Sequence, residues 1–491
     1  MARKRTILLG GLAAVAAVAA VVAVRTATFA PGDIADGSDV RLAPAPTYDL
    51  AAAAAHLGEA VRIPTVSNQD TADNDVAQWG RLHGWLAATY PATHRAMTRT
   101  ILPNRTLVYH WPGSDPALAP IILMAHQDVV PVTPGTEGDW KYPPFAGTIA
   151  EQAVWGRGTV DDKGSLVALF EASEALAGQG FRPRRSIYLV SGHDEEVGGT
   201  GAIAAAAMLK ARGVEAIFTL DEGSIVLTDT PMVGGPAILI GIAEKGYATL
   251  KVTANAAGGH SSMPPAQTGV GTLARAIVDI AEQPFPMEVR GPGASMLGAL
   301  ADAKGGMTKV AVANEWLFAP LLKRQLAASP STAAAFHTTI APTMLEGSPK
   351  ENVLPQSASA LINYRIAPWN RSTDIMARAK AAVGDAPVEL TWVKPPREPT
   401  RVSSTRSQGW KWIAAAARAD APGAVLSPIL VVGGTDSRSM EPVSQDIYRF
   451  MPMHFTLAES AMIHGTNEHM KIDSLKRMID FYARLIATSA G

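Results

Sequence analysis

In the segment Ser191-Gly-His-Asp-Glu-Glu-Val-Gly-Gly-Thr-Gly201, Glu195 and Glu196 stand side by side just beyond an apolar run, Ser186-Ile-Tyr-Leu-Val190, that reads as a buried strand. Like charges that close cannot both stay ionised in a pocket without compensation. Water compensates them if the segment is only an exposed acidic turn. A divalent cation would compensate them with chemistry, one glutamate ligating while the other serves as general base on water at the metal.

Four further clusters share that signature. In Met124-Ala-His-Gln-Asp-Val129, His126 leaves an apolar run and Asp128 follows two residues later. A carboxylate at that spacing reaches the other ring nitrogen and fixes the tautomer of a metal-binding histidine. Trp155-Gly-Arg-Gly-Thr-Val-Asp-Asp-Lys-Gly164 carries Asp161 and Asp162 in a glycine-flanked loop, either a helix cap or a carboxylate shared by two metals. Leu220-Asp-Glu-Gly-Ser224 is another acidic strand end, and Met462-Ile-His-Gly-Thr-Asn-Glu-His469 brings His464 and His469 into a late loop. Each alone is also what a solvated loop looks like. Jointly they supply His, Asp, Glu, Asp and His, the ligand set of a two-metal hydrolytic centre. The chain has no cysteine, which excludes disulfides, thiolate ligands and a cysteine nucleophile.

The elements that must position these residues alternate. Helical patterns cover 49–61, 71–90, 164–177 and 201–212; apolar strands cover 105–111, 120–125, 186–190 and 216–220. That order argues for an α/β sheet with parallel members, where ligands bind at the carboxyl ends of strands. Beyond about residue 243 the pattern changes to half-exposed alternating strands at 246–253 and 358–365, each followed by a helix, with a mainly helical stretch at 295–340 between them. From about 398 the α/β character returns, with a helix at 409–419, a strand at 429–432 and a last helix at 472–487. The expected layout is a catalytic α/β domain in two parts, 47–244 and 398–491, with an α+β domain inserted at 245–397.

Net charge is −1, so no nucleic-acid partner is implied. A basic start, Met1-Ala-Arg-Lys-Arg5, precedes an uncharged apolar stretch from Ile7 to Val24, long enough to span a bilayer. With those charges inside, the bulk of the chain lies outside the cytoplasm. Residues 1–30 therefore read as a signal anchor, or as a cleaved signal peptide of a secreted protein, and 31–46, rich in Pro and Gly, as a linker.

The run His126-x-Asp128, Gly156-Arg-Gly-x-x-Asp161-Asp-Lys-Gly164, Asp194-Glu-Glu196, Asp221, Gly259-His260 and His464-Gly465 resembles the dinuclear zinc amidohydrolases. That family includes carboxypeptidase G, aminoacylase and carnosinase-type dipeptidases; the chain looks closest to its Gly-X carboxypeptidase and N-acyl-amino-acid hydrolase/synthase branch. The resemblance covers about residues 45–490 and implies a zinc-peptidase-type catalytic domain, its mostly parallel mixed sheet flanked by helices and interrupted by an α+β lid or dimerisation domain. It implies two zinc ions per subunit, with His126 and Asp221 on one, Glu196 and His464 on the other, and Asp161 bridging. Glu195 would be the general base, Asp128 would orient His126, and the Asp161–Asp162 peptide would be cis. His260 would steady the oxyanion from the inserted domain, with Asn352, Arg365, Gly434, Thr435 and Arg438 as candidates for holding a substrate carboxylate. Lys163 and His469 are further candidates, while His193, Tyr364 and Trp369 read as loop or packing residues. The implied substrates are dipeptides or other C-terminal residues, with N-acyl amino acids as the alternative, and the insert could pair two copies. A catalytically silent zinc-binding protein on the same fold is the more distant alternative.

Overall fold

The computed structural model describes residues 2–32 and 34–491, with side chains from Leu9 onward; the side chains of the basic start and of Ile7 lie outside the described residues. Two sheets organise the chain. The larger has ten strands. At its centre Ile121–Met124 pairs in parallel with both Ile187–Ser191 and Ala216–Asp221. Antiparallel strands flank this centre, Leu107–Trp111 on one side and Gly235–Glu244 on the other, so the sheet is mixed. Its central strands are apolar throughout because both faces are covered. Ile121 and Leu123 point into one core, Ile122 and Met124 into the other, as the two-residue period of a strand requires. Helices Leu50–Val61, Lys163–Gly178, Gln408–Asp420 and Ile472–Ala490 pack on the first face, and Thr200–Ala211 on the second.

The second sheet has the order Thr339–Glu346, Ser357–Ile366, Gly246–Asn255, Val388–Trp392, all antiparallel. Alternation along Gly246–Asn255 buries one face beneath helices Gly269–Ala281 and Ser372–Val383. Thr339–Glu346, largely exposed, forms an outer edge. The helical stretch of this region runs as Gly291–Lys304, Gly306–Ala313, Glu315–Leu326 and Pro330–Ala333, and ends sooner than expected because of that strand.

Two local expectations change. The helix expected over 71–90 is a short turn, Thr71–Asp73, and then a helix, Ala77–Thr89. Asp70 and Asp75 accept from the amides of Ala72 and Ala77, and such side-chain bonds compete with a continuous helix. Residues 34–43, within the expected linker, lie along the helices of the large sheet. The Ala35 amide donates to the Thr405 carbonyl (2.9 Å), the Trp410 Nε1 to the Ala35 carbonyl (2.6 Å), and the Ala43 amide to Thr488 Oγ1 (3.0 Å).

Asp420, the last residue of its helix, is buried, and burial pushes its carboxyl up to about 7 against the pull of Arg477 and Arg484. The folded chain therefore holds a proton between about pH 4 and that value which the unfolded chain has lost. Stability from this group falls as pH rises through the window. Calorimetry should show Asp420→Asn matching the wild type near pH 4 and melting higher than it near pH 8 (about these values).

Candidate metal centre

His126, Asp128, Asp161, Glu195, Glu196 and His464 converge beyond the carboxyl ends of the central strands. His126 follows Ile121–Met124 and is buried, its Nε2 2.8 Å from Asp161 Oδ1 and 3.7 Å from Glu222 Oε1. Its Nδ1 faces Asp128, 3.0 Å from the carbonyl oxygen and 3.3 Å from the carboxylate. The Asp128 carboxylate also accepts from the amides of Glu195 (3.1 Å) and Glu196 (3.2 Å). One buried aspartate thus sets the ring of His126 and the position of the acidic turn together. That turn has little room to move: a Cβ at Gly192 would overlap the Asp436 carboxylate.

Asp161 sits at a cis peptide with Asp162. Its second carboxylate oxygen is 3.0 Å from His464 Nε2, which lies 3.2 Å from Glu196 Oε2. His464 is held at φ +60°, a left-handed conformation that a non-glycine residue adopts only when its surroundings dictate it. Arg157 dictates it. Its guanidinium donates to the carbonyls of His464 (3.3 Å) and Gly465 (2.9 Å) and pairs with buried Glu468 at 2.7 Å. Glu468 in turn accepts from the amides of Val160 (2.8 Å) and Asp161 (3.2 Å). A buried ion pair therefore joins the loop of Asp161 to the loop of His464, some 300 residues apart in sequence.

Asp221 does not join either group of ligand atoms. Its carboxylate accepts from the Ser437 amide at 2.8 Å, while the next residue, Glu222, aims at His126. Ligand atoms of His126, Asp161 and Glu196 lie within 4.8 Å of one another, and so do those of His126, Glu195 and Glu222. Glu222 was overlooked as a site residue because side chains alternate along a strand and sequence alone does not say which of two adjacent acids faces inward.

The electrostatics ask for positive charge. Burial pushes the carboxyls of Glu195, Glu222 and Asp436 well up, and their acidic neighbours add to the effect. Hydrogen bonds to Asp161 and Glu196 lift His464 to about 10. Burial pulls His126 down, but its bonds to Asp128 and Asp161 and the Glu222 charge outweigh that and raise it. Glu196 Oε1 is buried without a hydrogen-bond partner, as a ligand oxygen would be. The residues fit a metal.

The remaining candidates lie elsewhere. His260 is exposed and accepts from the Ser262 amide (3.1 Å), and its loop meets that of Asn352 through the Ser261 amide and the Asn352 carbonyl (3.2 Å). Arg365 lies over the Tyr247 ring at 4.8 Å. Among the described residues, none of these three hydrogen-bonds a member of the His126 cluster. Thr435 Oγ1 donates to buried Glu244 (2.7 Å), Gly434 lies beside the Arg438 guanidinium, and Arg438 donates to the Glu398 carbonyl (2.7 Å). Lys163 is fully buried and donates to the carbonyls of Ala60 and Ile63, tying the end of the Leu50–Val61 helix. His469 stacks on Trp155 at 4.1 Å. Both are packing residues in this arrangement, as are His193, bonded to Thr106, and Tyr364 in the core of the second sheet.

Residues 122–488 match the model of peptidase family M20/M25/M40. The chain belongs to that family. This M20 chain is 34% identical over 439 residues to the human N-fatty-acyl-amino acid synthase/hydrolase PM20D1, covering 88% of itself and 86% of that protein. It is also 31% identical to carboxypeptidase S of Saccharomyces cerevisiae, covering 85% of itself and 80% of the relative. Among solved structures it shares its fold with the M20 family metallo-carboxypeptidase Sso-CP2 of Sulfolobus solfataricus, at a TM-score of 0.67 and 17% identity over 89% of this chain and 99% of the other. Such a family makes the M20 chain a hydrolase of the metallopeptidase type.

Proposed function

We propose that the chain hydrolyses the amide bond of small substrates bearing a free carboxylate, as a carboxypeptidase or dipeptidase acting outside the cytoplasm. The observation that carries this is the convergence of His126, Asp161, Glu196 and His464 with Glu195 beside them. His126, Asp161, Glu196 and His464 would hold two zinc ions, with Glu222 completing the set in place of the expected Asp221. Bound there, the pair would supply Lewis acidity and lower the pKa of water. Glu195 takes a proton from the attacking water and returns it to the amide nitrogen as the C–N bond breaks. Asp128 keeps His126 in one tautomer and fixes the turn that carries Glu195.

His260 donates to the developing oxyanion, and Arg365, with Asn352, Arg438 and the Gly434–Thr435 backbone, receives the substrate carboxylate. The domain at 245–397 brings His260 and Arg365 to the centre by closing as a lid or by pairing with a second copy. His260→Ala should lower kcat by about 10²–10³-fold while metal content, read by mass spectrometry, stays unchanged. Loss of metal in that variant would remove His260 from this role.

A second reading, an N-acyl-amino-acid hydrolase, is favoured by the 34% identity to PM20D1 proteins. Turnover of a panel of dipeptides and N-acyl amino acids by the zinc-loaded protein decides between the two. The apolar span Leu9–Ala27, none of whose residues is fully buried, is long enough to anchor the chain in a membrane with the catalytic domain outside.

A further inference from the structure

The apolar N-terminal helix does not stand clear of the rest of the molecule. Its side chains are exposed from Leu9 to Val21, but its last turn meets the helical part of the inserted region. Asn314 Nδ2 donates to Thr26 Oγ1 (3.0 Å) and to the Val22 carbonyl (3.4 Å), and Arg25 Nε donates to the Ala313 carbonyl (3.1 Å). Ala313 and Asn314 form the corner between helices Gly306–Ala313 and Glu315–Leu326. At 1.5 Å per residue, Val22 lies only about 8 Å before the end of the apolar span at Ala27. If that span crosses a bilayer, this corner sits at the outer boundary of the hydrocarbon.

The same helix pair exposes the apolar residues such a position requires. Trp316 is 53% exposed, Leu317 43% and Leu321 58%, and Met307 on the first helix is 72% exposed. With exposed Pro320, the positions 316, 317, 320 and 321 make one stripe along the helix, while Leu322 and Leu326 face inward. Lys323 and Arg324 follow, both exposed, where an anionic headgroup would meet them. A tryptophan at the level of the headgroups is the usual anchor of a protein at this boundary.

We propose that the face formed by Trp316, Leu317 and Leu321 lies in the outer leaflet of the bilayer beside the N-terminal helix. This rests on reading that helix as a membrane anchor. Its consequence is that the inserted region is held at the membrane surface by two attachments, so a substrate dissolved in lipid meets the enzyme there.

Because the chain has no cysteine, single reporters can be placed without removing native thiols. The full chain carrying Leu321→Cys, Val15→Cys or Lys210→Cys, each labelled with an environment-sensitive dye, is reconstituted into phosphatidylcholine–phosphatidylglycerol vesicles with brominated acyl chains. Labels at 321 and 15 should each lose about half of their emission to the bromines, and the label at 210 none. Quenching at 15 but not at 321 overturns the proposal and leaves the anchor standing. Quenching at neither overturns both. A label at 321 that is shielded without bromine quenching, and only at high protein concentration, makes a second copy the occupant and also overturns the proposal. Should the labelled chain fold poorly, Trp316→Phe provides the same test: it should remove a lipid-quenched part of the tryptophan emission, and an unchanged quenched fraction overturns the proposal.

Discussion

Replacing Glu195 with Gln is expected to lower kcat by about 10²–10⁴-fold while the protein keeps its metal. The amide is nearly the shape of the carboxylate, and the turn that carries it is held through main-chain amides bonded to Asp128, which the substitution leaves in place. What is lost is the acceptor for the proton of the attacking water. Kinetics on the best substrate of the panel, with metal content by mass spectrometry on the same sample, separate the outcomes. Retained activity would assign the base elsewhere. Lost metal would make Glu195 a ligand.

The second large effect concerns stability. Glu244 and Arg449 are both wholly buried and pair at 2.8 Å between adjoining strands of the large sheet. Glu244 also accepts from Thr435 (2.7 Å) and Ser437 (3.4 Å), so the pair anchors the loop whose Ser437 amide holds Asp221. Arg449→Leu leaves the buried carboxylate only the longer contact to Arg438 (3.7 Å), which costs about 3–5 kcal/mol. Denaturant unfolding should show that loss as a lower midpoint. Glu244→Gln combined with Arg449→Leu should recover most of it, because the wholly buried position then carries no charge. A double variant as unstable as the single one would mean that packing, not charge, dominates there.

Much of this architecture was legible because fully buried strands are unbroken apolar runs. Ile121–Met124, Ile187–Ser191 and Ala216–Asp221 fall where such runs end in acids or histidine. The ligand clusters were legible for the same reason: carboxylates at strand ends among glycines are costly unless used. Ser444–Arg449 escaped notice since its residues are mostly polar, and it becomes a strand by bonding its backbone to Ala216–Asp221. Thr339–Glu346 is exposed and contains Pro342, so it lacks the alternation of a half-buried strand. Which of Asp221 and Glu222 faces His126 depends on the pleat, and the roles of Arg157 and Glu468 depend on two distant loops meeting.

The order of strands bears on how the protein is made. Ser444–Arg449 lies between Ala216–Asp221 and Gly235–Glu244, so the large sheet stays split until that strand has left the ribosome. His464 arrives later still. The inserted region, whose sheet draws only on residues 246–392, can fold earlier on its own contacts. A nascent chain that has not yet reached His464 would therefore lack one of the side chains proposed to hold the metal.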